Sequence, residues 1–181
     1  MKALVFGAGN IGRGFLGQLL YESGYETVFA DVNEELIQAL NSDKSYPIKI
    51  VSNEYQKEIL IKNVRAVHSN DAAAEIADAD IIFTAAGVNA LPHIAPIIRK
   101  GLSMRERGVD IIICENLIDA DLYLHSLILP PDNVGLVEAS VGRMVPLMTD
   151  EMREGCLTKV WVEPYCVLPV DKSAFKNSIP S

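Results

Sequence analysis

The stretch Lys2-Ala-Leu-Val-Phe-Gly-Ala-Gly-Asn-Ile-Gly-Arg-Gly-Phe15 decides how the rest of the chain folds. Ala3, Leu4, Val5 and Phe6 form an apolar run long enough for one buried strand of a parallel sheet. Gly7-Ala8-Gly9-Asn10-Ile11-Gly12 follows as a G-x-G-x-x-G, and Ile11, Phe15, Leu19 and Leu20 then recur at helical spacing. Each glycine has a mechanical task. Gly7 permits the tight strand-to-helix turn, Gly9 lets backbone approach a pyrophosphate, and Gly12 lets the helix lie close on the sheet. The unpaired amides and positive dipole end of that helix face the phosphates.

The surroundings decide whether this motif is more than a turn. Gly24 suits the end of the helix, and Glu26-Thr-Val-Phe-Ala-Asp31 reads as a second strand. Asp31 ends that strand 19 positions after Gly12, where a carboxylate accepts hydrogen bonds from the adenosine ribose hydroxyls. The same residues also suit an ordinary βαβ unit in which Asp31 caps a helix, or a methyltransferase or flavin site. Strand, turn, helix, strand and acid within one unit of about 30 residues favour a dinucleotide. Asp31 would repel a 2′-phosphate and no arginine follows it closely, so the expected cofactor is NAD rather than NADP.

At 181 residues, 49% of them apolar, the chain can bury a sizeable core. The net charge of −8 argues against nucleic-acid or anionic-membrane partners, which need a basic field. No apolar run approaches the roughly 20 residues of a membrane span, and the strand-forming start is no signal peptide. Cys114, Cys156 and Cys166 lie in apolar surroundings and read as reduced thiols of a cytoplasmic protein. His68, His93 and His125 lack metal-ligand spacing, so no metal is expected.

Alternation of strand and helix continues beyond Asp31. Asn33 is placed to cap a helix over Glu34–Leu40. Pro47–Val51 and Glu58–Ile61 read as an inserted β-hairpin, and Val64–His68 rejoins the sheet or sits beside it. Asp71 is expected to cap a short helix through Ile76. Asp80-Ile-Ile-Phe-Thr-Ala85 is a strong strand, and Thr84 and Ala85 at its end are expected beside the cofactor. The alternative for these small residues is simple close packing. A longer amphipathic helix spans Leu91–Arg107, ended by Gly108. Val109–Cys114 is a buried strand with Glu115 and Asn116 at its carboxyl end, then comes a helix over Asp119–Leu129 and a Pro130-Pro131 break. Val134–Val141 and Leu157–Glu163 read as strands. The expected fold class is α/β, a Rossmann-type doubly wound, mainly parallel sheet with an inserted hairpin. Residues 1–150 form the NAD-binding domain. Residues 151–181 continue it as strand and tail or lead to a second domain.

Four stretches carry a family resemblance: Gly7–Phe15, Phe29-Ala-Asp-Val-Asn33, Cys114-Glu-Asn-Leu117 and Val141-Gly-Arg-Met-Val-Pro146. Together they resemble the mannitol-1-phosphate 5-dehydrogenases and the wider polyol dehydrogenases and uronate reductases. Asn10, Arg13, Gly14 and Phe15 fit that family beyond a generic dinucleotide site. The resemblance implies reversible hydride transfer between NAD and mannitol 1-phosphate, giving fructose 6-phosphate. It also implies a helical second domain carrying a lysine base, so that this chain resembles the amino-terminal half. A half separated from its partner domain would expose apolar surface and invite self-association. The family usually places aspartate where Gly142 stands here.

Residue by residue, the resemblance gives Asn116 an oxyanion-hole role, an amide donating to the substrate oxygen during transfer. The competing reading of Asn116 is a helix N-cap. The expected cofactor set is Gly7, Ala8, Gly9, Asn10, Ile11, Gly12, Arg13, Asp31, Thr84, Ala85 and Glu115. Glu115 either holds ribose or orders its loop, and Arg143 pairs with substrate phosphate or with a neighbouring acid. Lys172 and Lys176 read as solvated charges. A second function class stays open, a stand-alone NAD(H)-binding regulatory module. Such modules share the glycine turn and the strand-end acid.

Overall fold

The computed structural model describes residues 1–177. The first strand, β1 (Lys2–Phe6), enters the middle of a sheet because every residue after Lys2 is buried. Side chains alternate across a strand. Ala3 and Val5 therefore pack with one core, and Leu4 and Phe6 with the core on the opposite face.

A wide, π-type turn over Gly12–Leu16 runs into α1 (Gly17–Glu22), and β2 (Glu26–Asp31) returns parallel to β1. Next comes α2 (Glu34–Asp43), whose first turn is capped by Asn33 as expected. The Asn33 Oδ1 accepts from the Leu36 amide at 3.0 Å. Strands β3 (Ser45–Val51) and β4 (Gln56–Lys62) form the expected antiparallel hairpin. Strand β5 (Val64–His68) does rejoin the sheet, parallel to β2. Helix α3 (Ala72–Asp78), β6 (Ile81–Thr84), α4 (Leu91–Leu102), β7 (Val109–Ile113), α5 (Ala120–Ile128) and β8 (Val134–Glu138) follow. The last elements are α6 (Asp150–Arg153) and β9 (Val160–Val162).

The main sheet has the order β5-β2-β1-β6-β7-β8, every pairing parallel. That order places β1 at the topological switch point, where neighbouring connections leave to opposite faces and a crevice opens at the strand carboxyl ends. One face carries Val5 and Phe29 beneath Phe15, Leu16 and Leu20 of the glycine-turn helix and Leu36 and Leu40 of α2. The other carries Ile82 and Ile111 beneath Ile76, Ile94, Ile98 and Leu124. Removing one such side chain, Ile82→Ala for instance, costs about 2–5 kcal/mol.

A separate three-stranded sheet, β4-β3-β9, covers the start of the glycine-turn helix. Its middle strand is half buried in strict alternation, and Tyr46 reaches inward to donate from its hydroxyl to the Arg13 carbonyl at 2.8 Å. The strand expected over Leu157–Glu163 is thus shorter and pairs in parallel with the hairpin. The tail continues along the main sheet's edge. Ala139 bridges Val170, the Asp171 amide donates to Glu138 O at 3.0 Å, and the Lys176 amide donates to Asp110 Oδ1 at 3.0 Å.

Three local expectations are corrected. The helix expected to reach Arg107 stops at Leu102. Arg105 leaves it to donate to the carbonyls of Ile76, Ala79 and Gly108, bonds a helical Arg105 would not reach. Asp71 stands at the start of α3 but makes no side-chain cap bond. The His68 Nδ1 instead accepts from the Asn70 amide at 3.2 Å in a preceding tight turn. Helix α6, capped by Thr149, is not among the expected elements, although Thr149-Asp-Glu is an N-terminal signature.

Candidate functional site

The glycine turn sits at the carboxyl end of β1. Gly7 has φ +99°, and a Cβ there would strike the Ala85 carbonyl and lie 2.9 Å from Ala86 Cα. Gly12 is as tightly placed, because a Cβ would fall far inside contact of the Gly7 carbonyl. So Gly12 closes the turn on itself more than it seats the helix on the sheet. At Gly9 the space is open, with no atom within 4 Å of the point where a Cβ would stand. The amides of Gly9, Asn10 and Ile11 meet no protein acceptor among the described residues. An open concavity ringed by unpaired amides at a helix start fits a phosphate.

Side chains of the same stretch have other duties. The Arg13 guanidinium is 3% exposed and donates to the carbonyls of Thr158 and Ala8. Burial lowers its pKa to about 10, which leaves it a cation tying the turn to the segment before β9. The Asn10 amide nitrogen donates to Pro146 O at 2.9 Å.

Two carboxylates flank the turn. Asp31 Oδ2 accepts from the Ala8 amide at 2.6 Å, and its Oδ1 from Val32 and Asn33 at 2.8 and 2.9 Å. A carboxylate has about four acceptor positions, so one remains for a ligand hydroxyl. On the other side Glu115 Oε1 accepts from Ala86 N at 3.0 Å and Oε2 from Gly87 N at 2.9 Å. Burial pushes the Glu115 pKa upward and those two amides oppose the rise. Thr84 is fully buried; its hydroxyl lies near the Glu115 carboxylate and also opposes the rise, though no hydrogen bond of good geometry joins the two.

Beyond Glu115 a groove of about 1240 Å³ opens over the carboxyl ends of β6, β7 and β8. Ala85, Glu115, Asn116, Glu138, Ser140 and Arg143 are among its walls. Asn116 faces this groove and does not cap α5. The Ala120 amide, at that helix's start, donates instead to Glu138 Oε1 at 2.7 Å. Arg143 is a second buried guanidinium, 3% exposed, donating to the carbonyls of Glu163 and Gly14 and to Gln18 Oε1. The neighbouring acid expected for it is missing, since among the described residues no carboxylate lies within ion-pair distance. Burial lowers its pKa. Gly142 lies against the ring of Tyr165, 3.0 Å from where its Cβ would be.

Sequence reasoning missed Glu138 and Ser140. Their only signal is position at the end of β8. Cys114 is buried, and burial pushes its thiol up to about 12, so it is inert at neutral pH. Among the described residues no group of three potential ligands could hold a metal, and no helix is long and apolar enough to cross a membrane.

Sheet order, open glycine turn and strand-end acid define a dinucleotide-binding α/β domain. The chain belongs to the mannitol dehydrogenase family, whose Rossmann-domain pattern it matches over residues 1–181. The NAD expectation agrees with that membership in a family of oxidoreductases. It is 36% identical over 197 aligned residues to mannitol-1-phosphate 5-dehydrogenase of Buchnera aphidicola subsp. Schizaphis graminum, covering 99% of this chain and 50% of that protein. The protein of the same name from Shouchella clausii is 38% identical over 193 residues, covering 98% and 50%. The chain thus spans about half the length of the curated relatives it matches. Among solved structures, octopine dehydrogenase with NADH and L-arginine superposes with a TM-score of 0.71 at 16% identity, over 99% of this chain and 44% of that one. A ketopantoate reductase from Ralstonia eutropha gives 0.68 at 15% identity, over 94% and 49%. At such identities the likeness is one of fold.

Proposed function

We propose that residues 1–181 are the NAD-binding half of a dehydrogenase that interconverts mannitol 1-phosphate and fructose 6-phosphate. The observation that supports it best is the open cradle at Gly9, in a chain that matches two mannitol-1-phosphate 5-dehydrogenases along nearly its whole length. In this reading Gly7, Ala8, Gly9, Asn10, Ile11 and Gly12 shape the pyrophosphate seat. Arg13 fixes it from below, and Asp31 holds the adenosine ribose. Ala85 and Glu115 border the nicotinamide end, with Thr84 buried behind them. NAD supplies the hydride acceptor. Asn116 donates to the carbinol oxygen as negative charge develops there. The exposed Ile118, Met144 and Leu147 lie near the groove and glycine turn and suit a covering domain.

A regulatory NAD(H)-binding module is the second reading. It is favoured by one feature, that the described groove walls include no lysine or histidine to take the hydroxyl proton. Steady-state assay of residues 1–181 with both sugar phosphates tests the half-enzyme reading. A positioned acid–base group contributes about 10²–10⁴-fold, so without one turnover should be undetectable while NADH still binds. Clear turnover would show that the chain holds its own base. If a longer form of the protein also binds NADH without turnover, the module reading replaces the enzyme.

A further inference from the structure

We propose that Glu115 is a positioning residue for the dinucleotide, a clamp that shapes the Ala85–Gly87 edge on which the nicotinamide end rests. The inference rests on the cofactor reading above and assigns Glu115 a role through backbone instead of through ribose. Ala86 and Gly87 are consecutive, and their amides point at the two oxygens of one carboxylate, at 3.0 and 2.9 Å. Only a carboxylate offers two acceptor oxygens with that bite; a glutamine would turn an N–H donor towards one of the amides. Glu115 is 9% exposed, so little of it is left to meet a ligand hydroxyl. It stands two positions past β7, whose residues are all buried, and Cys114 between them is tied to the neighbouring strand by its amide donating to the Thr84 carbonyl at 2.9 Å.

The peptide planes that Glu115 fixes have a use. Gly87 is held at φ +90°, and the Ala85 carbonyl is turned towards Gly7, leaving no room there for a Cβ. Asp31 does the corresponding work on the other flank by accepting from Ala8. The glycine turn also has supports of its own, from Gly7 N to Ala30 O at 2.8 Å and from Asn10 to Pro146. Loss of Glu115 should therefore loosen the nicotinamide edge and spare the adenosine-phosphate end.

Glu115→Ala and Glu115→Gln, made in residues 1–181, test this with NADH and with ADP, which does not extend to the nicotinamide edge. Glu115→Ala should weaken NADH by about tenfold or more and ADP by less than about threefold, and Glu115→Gln should recover part of the NADH loss. Equal losses for NADH and ADP would indicate a general structural role and overturn the proposal, as would a glutamine variant that binds NADH as well as the unaltered chain. Should Glu115→Ala not fold, Glu115→Gln carries the comparison, with an NADH loss intermediate and an ADP loss negligible. Amide exchange in the ligand-free protein separates the clamp from the cofactor reading. If the unaltered chain binds no NADH, the cofactor reading fails and with it the dinucleotide role of Glu115. Slow exchange at Ala86 and Gly87 that rises about tenfold in the variants would then still show the backbone clamp, and unchanged exchange would remove it.

Discussion

The glycine turn and the groove over β6–β8 share one sheet edge, yet they are built differently. The turn and its acid lie within residues 7–31. Several of their bonds close within that unit, from Gly7 to Ala30, from Ala8 to Asp31 and from Arg13 to Ala8, while Asn10 and Arg13 also reach Pro146 and Thr158. The groove takes Ile11 from the turn, and the rest of it is assembled from four distant stretches, around Ala85–Val88, Ile113–Ala120, Glu138–Arg143 and Pro169–Asp171. A phosphate seat needs backbone amides in one conformation, which a short motif can encode. A substrate pocket needs side chains from several strand ends, which only the finished fold brings together.

The largest effect should come from the two glycines of the turn that look alike in sequence. Gly12→Val drives a side chain into the Gly7 carbonyl, and about 3 kcal/mol or more of stability should be lost in denaturant unfolding. Gly9→Val meets nothing in the protein. It should melt within a few degrees of the unaltered chain and lose about 100-fold or more in NADH affinity, because it fills the pyrophosphate space. If Gly9→Val binds NADH normally, the contrast between seat and groove disappears.

A smaller pair of effects sets Asp31 against Asn116. Asp31→Ala should weaken NADH by about tenfold and narrow its advantage over NADPH, since it removes both the ribose acceptor and the support of Ala8. Asn116→Ala, in the groove, should leave NADH affinity within about threefold. An equal loss in the two variants would place the cofactor across the groove floor instead of along the turn.

The smallest effect lies at the opposite, amino-terminal edge of the sheet. There Arg65 hydrogen-bonds Glu75 through two nitrogens and Lys2 adds a third contact, holding the Glu75 carboxyl at about 2 despite partial burial. Because the folded value lies below the ordinary 4.5, this stabilisation is complete above that pH and lost as the pH falls towards 2. Glu75→Gln should therefore flatten acid unfolding in that window by about 1 kcal/mol, leaving NADH affinity at neutral pH unchanged. A change in affinity would show that the two edges are coupled.

How much the sequence reveals follows the same division. The glycine spacing, the Asn33 cap and the inserted hairpin are legible because each depends on residues a few positions apart, and Asp31 because the strand–turn–helix–strand unit fixes its distance from the glycines. The end of α4 is not legible. Helical periodicity continues to Arg107, while three carbonyls from other parts of the fold capture Arg105. The environment of Arg143 is also hidden. It is held by carbonyls and Gln18, partners brought close by packing α1 against the loop after β8. Glu138 as the cap of α5 is equally invisible in the sequence, since no motif spacing links it to the Ala120 amide. Motif reading identifies Glu115, but only the geometry shows its carboxylate turned towards two backbone amides.

That Asp31 and the glycine turn make this an NAD-binding domain is open to a direct test, fluorescence titration of residues 1–181 with NADH and NADPH in parallel. NADH should bind, and NADPH should bind at least about tenfold more weakly, a difference of about 1.4 kcal/mol. Equal affinities would remove Asp31 from the ribose role, and no binding of either would contradict an NAD-binding domain altogether.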